Sequence, residues 1–273
     1  MTATDVTEAR RASGLPILFS ATIFLSAALL FFVQPLFARL ALPEIGGAPA
    51  VWTTAMLFFQ SVLLTGYVYA HLSTRYLGRR AQLFVHLGIW AAALWFLPLN
   101  VPTGWSLDPS QSVAWQTLVL FGLGVGAPFA LLSANAPLIQ SWYAASGGPS
   151  ADDPYFLYGA SNFGSFTALL AFPLLAEPFL GATMIGWVFA AGFVFLGGGL
   201  FATGISTRPG ATKNEAGARA SALRPGVMLR WGLLAFVPSS LMLAVTSKIS
   251  TDIGAMPLIP IARQVTALMR LKL

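Results

Sequence analysis

Long apolar runs separated by short polar connections dominate this sequence. A helix that crosses the hydrocarbon core of a bilayer, about 30 Å thick, needs about 20 predominantly apolar residues. Six runs satisfy that requirement and a seventh is shorter, at 15–42, 52–72, 83–99, 113–142, 155–175, 184–205 and 229–245. The pattern therefore predicts an all-α, polytopic transmembrane helix bundle with six or seven spans, and a lipid bilayer as its surroundings.

Composition excludes the main alternative classes. Of 273 residues, 56% are hydrophobic and only 9% are charged, whereas soluble domains carry about 25% charged residues. The chain has no cysteine, which rules out a disulfide scaffold and a thiolate metal site. The net charge of +6 comes from basic residues placed between the apolar runs, not along one face, so no nucleic-acid partner is expected.

The basic residues also predict the domain order and the topology. Ten Lys and Arg lie in connections that share a side with the N-terminus, and two lie on the other side, which favours a cytoplasmic N-terminus. We expect a cytoplasmic segment at 1–14, a six-span bundle at 15–205 and a cytoplasmic loop at 206–228. A seventh span at 229–252 and an atypical basic tail at 253–273 follow.

Polar residues recur on single faces of three spans. Unpaired polar groups are costly in lipid, so these faces are expected to point into the bundle. The faces are Thr53, Gln60, Tyr67 and His71 in the second span, Gly124, Pro128, Asn135 and Trp142 in the fourth, and Tyr155, Tyr158, Asn162, Ser165 and Pro173 in the fifth. They predict either a central cavity for a small solute or hydrogen bonds and close packing between helices.

The candidate solute contacts are the polar side chains of these faces, together with the glutamine before Pro35. They are Gln34, Gln60, Tyr67, His71, Asn135 and Asn162. Prolines at 35, 128, 137 and 173 predict either broken helices, whose freed carbonyls could coordinate a solute, or simple kinks. Gly122, Gly124 and Gly126 lie inside an apolar run, which favours tight helix contact over a nucleotide loop.

No catalytic residue, metal site or cofactor is expected. His71 and His86 lie in separate spans without a carboxylate partner, which makes a poor metal site. Imidazoles titrate near neutral pH and could relay protons, although packing is the simpler reading for both. Lys248 and Asp252 lie four residues apart and could pair on one helical face.

Several sequence blocks resemble the membrane portion of the bacterial fused MFS/spermidine synthase family. They are FFVQPLFAR at 31–39, GAPAVWTTAMLFFQ at 47–60, GYVYAH at 66–71, SANAP at 133–137, DPYFLYGASN at 153–162 and LLAFVPSS at 233–240, followed by Thr251 and Asp252. The segment STRYLGRR at 73–80 resembles the loop between the second and third helices of major facilitator transporters. Thr74 replaces the usual Asp of that loop, and Leu77 is an extra residue.

The resemblance implies an MFS-like bundle in the bacterial inner membrane that handles a solute. The alternative is an anchor or partner for a spermidine-synthase-like domain or subunit. The sequence contains no Rossmann-type unit and no paired acidic residues for a polyamine, so we expect no aminopropyl transfer by this chain. The pattern after Asp252 is typical of a truncated or frame-shifted end, or of a short paralogue.

The topology can be tested with reporter fusions at Asp108 and Lys213. The ten-to-two distribution of basic residues predicts that the two positions lie on opposite sides of the membrane, with Lys213 inside. Alkaline phosphatase should be active only when fused at Asp108. Activity of the fusion at Lys213 would contradict the predicted orientation.

Overall fold

The computed structural model describes residues 3–102, 104–207 and 225–252. It is 84% helix, and the described ranges contain no strand. The helices are α1 (Ala3–Ile45), α2 (Pro49–Tyr76), α3 (Arg79–Ala93), α4 (Val113–Phe121), α5 (Ala127–Ala144), α6 (Tyr155–Ala171), α7 (Glu177–Phe179), α8 (Ala182–Ile205) and α9 (Pro225–Asp252). The predicted all-α bundle is therefore confirmed.

Five helical stretches are long and apolar enough to cross a membrane. They are Gly14–Ile45, Pro49–Tyr76, Val113–Ala144, Tyr155–Phe179 and Ala182–Ile205. These stretches make the chain a multi-pass membrane protein, and each matches one of the apolar runs. The third and seventh expected spans are also helical. The third is a shorter α-helix, and the seventh has a shorter apolar portion.

The third expected span is α3, which has 15 residues and continues as one 3₁₀ turn, Leu94–Phe96. Pro98 follows closely and has no N–H to extend a helix. The seventh expected span lies within α9, whose apolar part is Leu229–Met242. Most of the expected loop at 206–228 and all of the tail at 253–273 lie outside the described residues.

The chain divides into two units, Met1–Ala211 and Thr212–Leu273. In the first unit, α1 lies at the centre and packs against α5, α6 and α8. Helix α2 packs against α4 and α5, and α3 contacts α5 and α8. The second unit contains α9. The N-terminal segment expected at 1–14 is helical from Ala3 and continuous with the rest of α1.

Aromatic rings fill the space between α1, α2, α4 and α5. Phe121 lies 5.0 Å from Phe37, 5.6 Å from Phe58 and 5.5 Å from Phe59, measured between ring centroids, and each pair is edge-on. Phe59 makes a further edge contact with Phe129 at 4.9 Å. Such pairs contribute about 0.5–1.5 kcal/mol each beyond their burial. This cluster fixes which face of α2 turns inward.

Of the two alternatives at the prolines, a broken helix or a simple kink, the described helices show no break at Pro35, Pro128, Pro137 or Pro173. Helix α1 continues through Pro16, Pro35 and Pro43, and α5 continues through Pro137. At the other two sites the backbone widens into π-helical turns, Gly122–Gly126 before Pro128 and Phe172–Ala176 around Pro173. A π turn locally changes which carbonyl each backbone N–H bonds. Each stretch therefore stays helical although its proline has no N–H to donate.

The connection after α3 is tied to α4 by side-chain bonds. Asp108 accepts hydrogen bonds from the hydroxyl and backbone N–H of Ser110 and from the amide of Gln111, and these bonds lower the pKa of its carboxyl. Gln116, in α4, accepts from the backbone N–H of Asp108 at 2.7 Å and donates to its carbonyl at 2.9 Å. The start of α4 is thereby held to the connection.

Glycine allows close helix contacts at several places in the bundle. A Cβ atom added at Gly164 of α6 would collide with the backbone of Phe24 in α1, carbonyl oxygen included. A Cβ at Gly66 of α2 would likewise collide with Ser133 of α5, and one at Gly124 would collide with the ring of Phe37. The expectation of tight helix contact in the glycine run is thus confirmed at Gly124.

Replacing Gly164 by alanine should therefore weaken the α1–α6 contact. The added methyl group would collide with the backbone of Phe24. We therefore expect the free energy of unfolding in mixed micelles to fall by about 1–3 kcal/mol. Gly159→Ala is the matched control on the same helix, since nothing lies within 4 Å of its added Cβ. Alanine there should be neutral or stabilising by up to about 1 kcal/mol. Equal effects of the two changes would refute the close contact.

Candidate functional site

A chain of hydrogen-bonded polar side chains crosses the interior of the bundle. It comprises Ser26 of α1, Asn135 of α5, His86 of α3 and Tyr69 of α2, and we call it the polar chain. Asn135 and His86 are completely buried and Ser26 is 2% exposed. Four helices are thereby joined through one continuous set of bonds.

The bonding pattern gives the polar chain a direction. The Nδ2 group of Asn135 donates to Oγ of Ser26 at 2.9 Å, which leaves Oδ1 as the acceptor for Nε2 of His86, also at 2.9 Å. His86 must then carry its proton on Nε2 when neutral. Its Nδ1 is free to accept from the hydroxyl of Tyr69, 3.3 Å away. Every ring nitrogen of this buried histidine is therefore paired.

A second polar group lies one turn closer to the start of α3. Gln82 is 2% exposed, and its Oε1 accepts from the indole Nε1 of Trp142 at 2.7 Å. Arg79 donates through Nη2 to the carbonyl of Ser141 at 2.7 Å. Since Ser141 and Trp142 are adjacent in α5, the first turns of α3 are bonded to the C-terminal part of α5.

Aromatic and apolar side chains enclose His86. Trp90 lies 6.1 Å and Trp142 6.5 Å from the imidazole, between ring centroids. Trp90 in turn stacks on Phe193 of α8 at 3.8 Å with an interplanar angle of 8°. This surround excludes water from His86, which strengthens its hydrogen bonds and raises the cost of losing one.

A cavity of about 280 Å³ lies between α2, α3 and α5. Its wall is almost entirely apolar, and its polar members are Thr65 and Tyr69. The hydroxyl of Thr65 donates to the carbonyl of Ser61 in its own helix, and that of Tyr69 bonds His86. The lining is Thr65, Gly66, Tyr69, Ile89, Ala92, Ala93, Phe96, Ala127, Ala130 and Leu131. Such a wall fits an alkyl group better than a polar solute.

The six candidate solute contacts do not lie around one cavity. Asn135 is completely buried and belongs to the polar chain. Gln34 is half-buried, and its amide donates weakly, at 3.4 Å, to the carbonyl of Leu30 in its own helix. The other four are exposed on the described bundle; they are Gln60, Tyr67, His71 and Asn162. A role for any of them in solute binding stays a prediction.

The expected orientation of the polar faces is right for the fourth span and wrong for the second and fifth. Gly124, Pro128, Asn135 and Trp142 are all buried. On α2 and α6 the buried face instead carries small residues, Gly66 with Ala70 and Gly164 with Ala168. Each is a small-xxx-small pair, which lets helices approach closely. That signal was present in the sequence and would have identified the inward faces.

Sequence reasoning also missed most of the polar chain. It treated His86 as a packing residue and did not consider Ser26, Tyr69 or Gln82.

Within the described residues, no group of three His, Asp or Glu side chains is placed to hold a metal ion. The chain matches no protein-family model, no curated protein and no solved structure.

The direction of the polar chain predicts the tautomer of His86. Nitrogen-15 NMR of the histidine-labelled chain in detergent should show His86 neutral with its proton on Nε2. Asn135→Leu removes the acceptor that selects this tautomer and should shift the His86 signals. His71→Gln, which removes the other imidazole, assigns the spectrum. A proton on Nδ1 of His86 would contradict the bonding described.

Proposed function

We propose that this chain is a membrane-anchoring module that holds a spermidine-synthase-like domain or subunit at the bilayer. The proposal joins two lines of support. Six sequence blocks, at 31–39, 47–60, 66–71, 133–137, 153–162 and 233–240, resemble the membrane portion of the fused MFS/spermidine synthase family. The geometry favours a self-contained scaffold over a solute path.

The state of Asn135 is the observation that carries the proposal. A solute contact needs at least one hydrogen-bonding group that faces a cavity. The amide nitrogen of Asn135 donates to Ser26, and its oxygen accepts from His86. The side chain has no exposed surface. The most buried of the candidate contacts therefore holds helices together, which is the work of a scaffold.

Solute transport is the second candidate, and the exposed polar residues favour it. Gln60 and Tyr67 on α2 and Asn162 on α6 lie on helix faces that also expose large apolar side chains, such as Leu64 and Phe163. Lipid would leave their hydrogen-bonding groups without partners. Another protein surface packed against these faces would supply hydrogen-bond partners for the three side chains. A solute path between that surface and the bundle would then have polar walls.

Co-flotation tests the anchoring role directly. Liposomes containing the purified chain are mixed with a soluble spermidine-synthase-like domain and centrifuged through a density gradient. We expect the domain to float with these liposomes and to stay at the bottom with empty ones. A domain that remains at the bottom in both cases would contradict anchoring.

The same liposomes separate the two candidates. Uptake of labelled putrescine or spermidine should equal that of empty liposomes if the chain is a scaffold. Uptake that falls with Gln60→Leu or Asn162→Leu, but not with the lipid-exposed change Phe163→Leu, would favour transport. These substitutions leave the polar chain intact, so a loss of uptake could not be ascribed to loss of its bonds.

A further inference from the structure

Positive charge is concentrated where α2 ends and α3 begins. Arg75 lies in the last turn of α2, and Arg79 and Arg80 form the first two residues of α3. No Asp or Glu occurs between Glu44 and Asp108. A helix N-terminus carries partial positive charge, so cations there are unfavourable and an anion is favoured.

The start of α3 also has no cap of its own. Gly78 precedes the helix, no side chain accepts its first N–H groups, and no acidic residue lies in its first turn. Asp152 and Asp153, in the connection between α5 and α6, are exposed. Neither forms an ion pair with the three arginines in the part of the chain that the structure describes.

Two buried donors at this place have no hydrogen-bond partner. Gln82 is 2% exposed, and its Nε2 is buried and unpaired while its Oε1 is bound to Trp142. The Nη1 group of Arg79 is likewise buried and unpaired, while Nη2 is bound to Ser141. The partners of these two side chains, Ser141 and Trp142, are adjacent in α5, so both free donors belong to the contact between α3 and α5.

The chemistry of these donors selects the ligand. A guanidinium and an amide N–H both donate to oxygen, and the guanidinium fork matches the oxygens of phosphate. Buried donors without acceptors are costly, and an oxyanion would supply acceptors and charge together. Basic pockets at the ends of membrane helices are also where lipid headgroups bind.

We propose that the junction of α2, α3 and α5 is a phosphate-binding site, with Arg79 Nη1 and Gln82 Nε2 as donors to the phosphate oxygens. Arg75 and Arg80 are exposed and supply long-range attraction without being part of the donor set. The phosphate can be that of an anionic phospholipid or free inorganic phosphate. Both present the same oxygens to the donors.

Binding to the full chain in detergent identifies the source. Three ligands are titrated, short-chain phosphatidylglycerol, phosphatidylcholine of the same chain length, and sodium phosphate. A lipid site binds phosphatidylglycerol at least tenfold more tightly than phosphate, and a free-phosphate site binds sodium phosphate without help from the lipid. Binding of neither, as expected if only water meets these donors, would overturn the proposal.

Arginine variants separate the site from diffuse attraction. Arg79→Gln should weaken binding by about tenfold, or 1.4 kcal/mol. Arg80→Gln removes the same charge from the neighbouring, exposed position and should weaken binding less than threefold. Equal losses from the two substitutions would show that charge alone attracts the ligand and would refute a built site.

Gln82→Glu provides a test that does not depend on Arg79→Gln folding. Its carboxylate keeps an acceptor for Trp142 and offers a partner to Arg79, so the variant should fold and melt at a higher temperature in the absence of ligand. The same carboxylate occupies the position of the ligand and should abolish binding. Retained binding in a folded Gln82→Glu protein would contradict the assignment of the donors.

Discussion

The hydrogen bond between Asn135 and His86 is the interaction on which the arrangement of α1, α2, α3 and α5 depends. Burying an imidazole and an amide in an apolar bundle is unfavourable unless both are paired. The 2.9 Å bond between them meets that condition only when α3 and α5 keep one relative register. Ser26 and Tyr69 extend the same requirement to α1 and α2. A slip of any of these helices would leave a buried polar group without a partner.

Small residues, together with the aromatic cluster, decide which other faces of the helices pack inward. Bilayer lipid is as apolar as the side chains, so burial of apolar surface gives little preference for one face of a membrane helix. Close contact does give a preference, because van der Waals attraction grows as backbones approach. Gly164 brings α6 to the backbone of α1, and Gly66 brings α2 to Ser133 of α5. These contacts turn Asn162 and Gln60 outward despite their polarity.

The sequence therefore predicts the elements of this fold better than their contacts. Run length and apolarity are local properties, so the helices fall at the expected positions, and Pro98 explains why α3 is short. Which face packs is a property of pairs of helices. For α5 the polar face and the packed face coincide, and Asn135 was placed correctly. For α2 and α6 they differ, and the polar periodicity was misleading.

In the candidate site, too, the sequence indicates local properties but not the contacts between helices. Asn135 could be identified because it lies on one face of the fourth span with Gly124, Pro128 and Trp142. His86 could not be linked to it from the sequence, because 49 residues separate them and only the packing of α3 on α5 brings them together. The free donors of Arg79 and Gln82 depend on which of their atoms Ser141 and Trp142 already occupy. That information exists only in the folded bundle.

The bonds of Asn135 to Ser26 and His86 indicate that the buried polar residues hold helices together and do not line a solute path. A double-mutant cycle with His86→Phe and Asn135→Leu, measured as free energies of unfolding in mixed micelles, tests it most directly. We expect a coupling energy of about 0.6–2 kcal/mol for this pair. The exposed pair His71→Phe and Asn162→Leu should show no coupling. Additive effects of His86→Phe and Asn135→Leu would contradict the account.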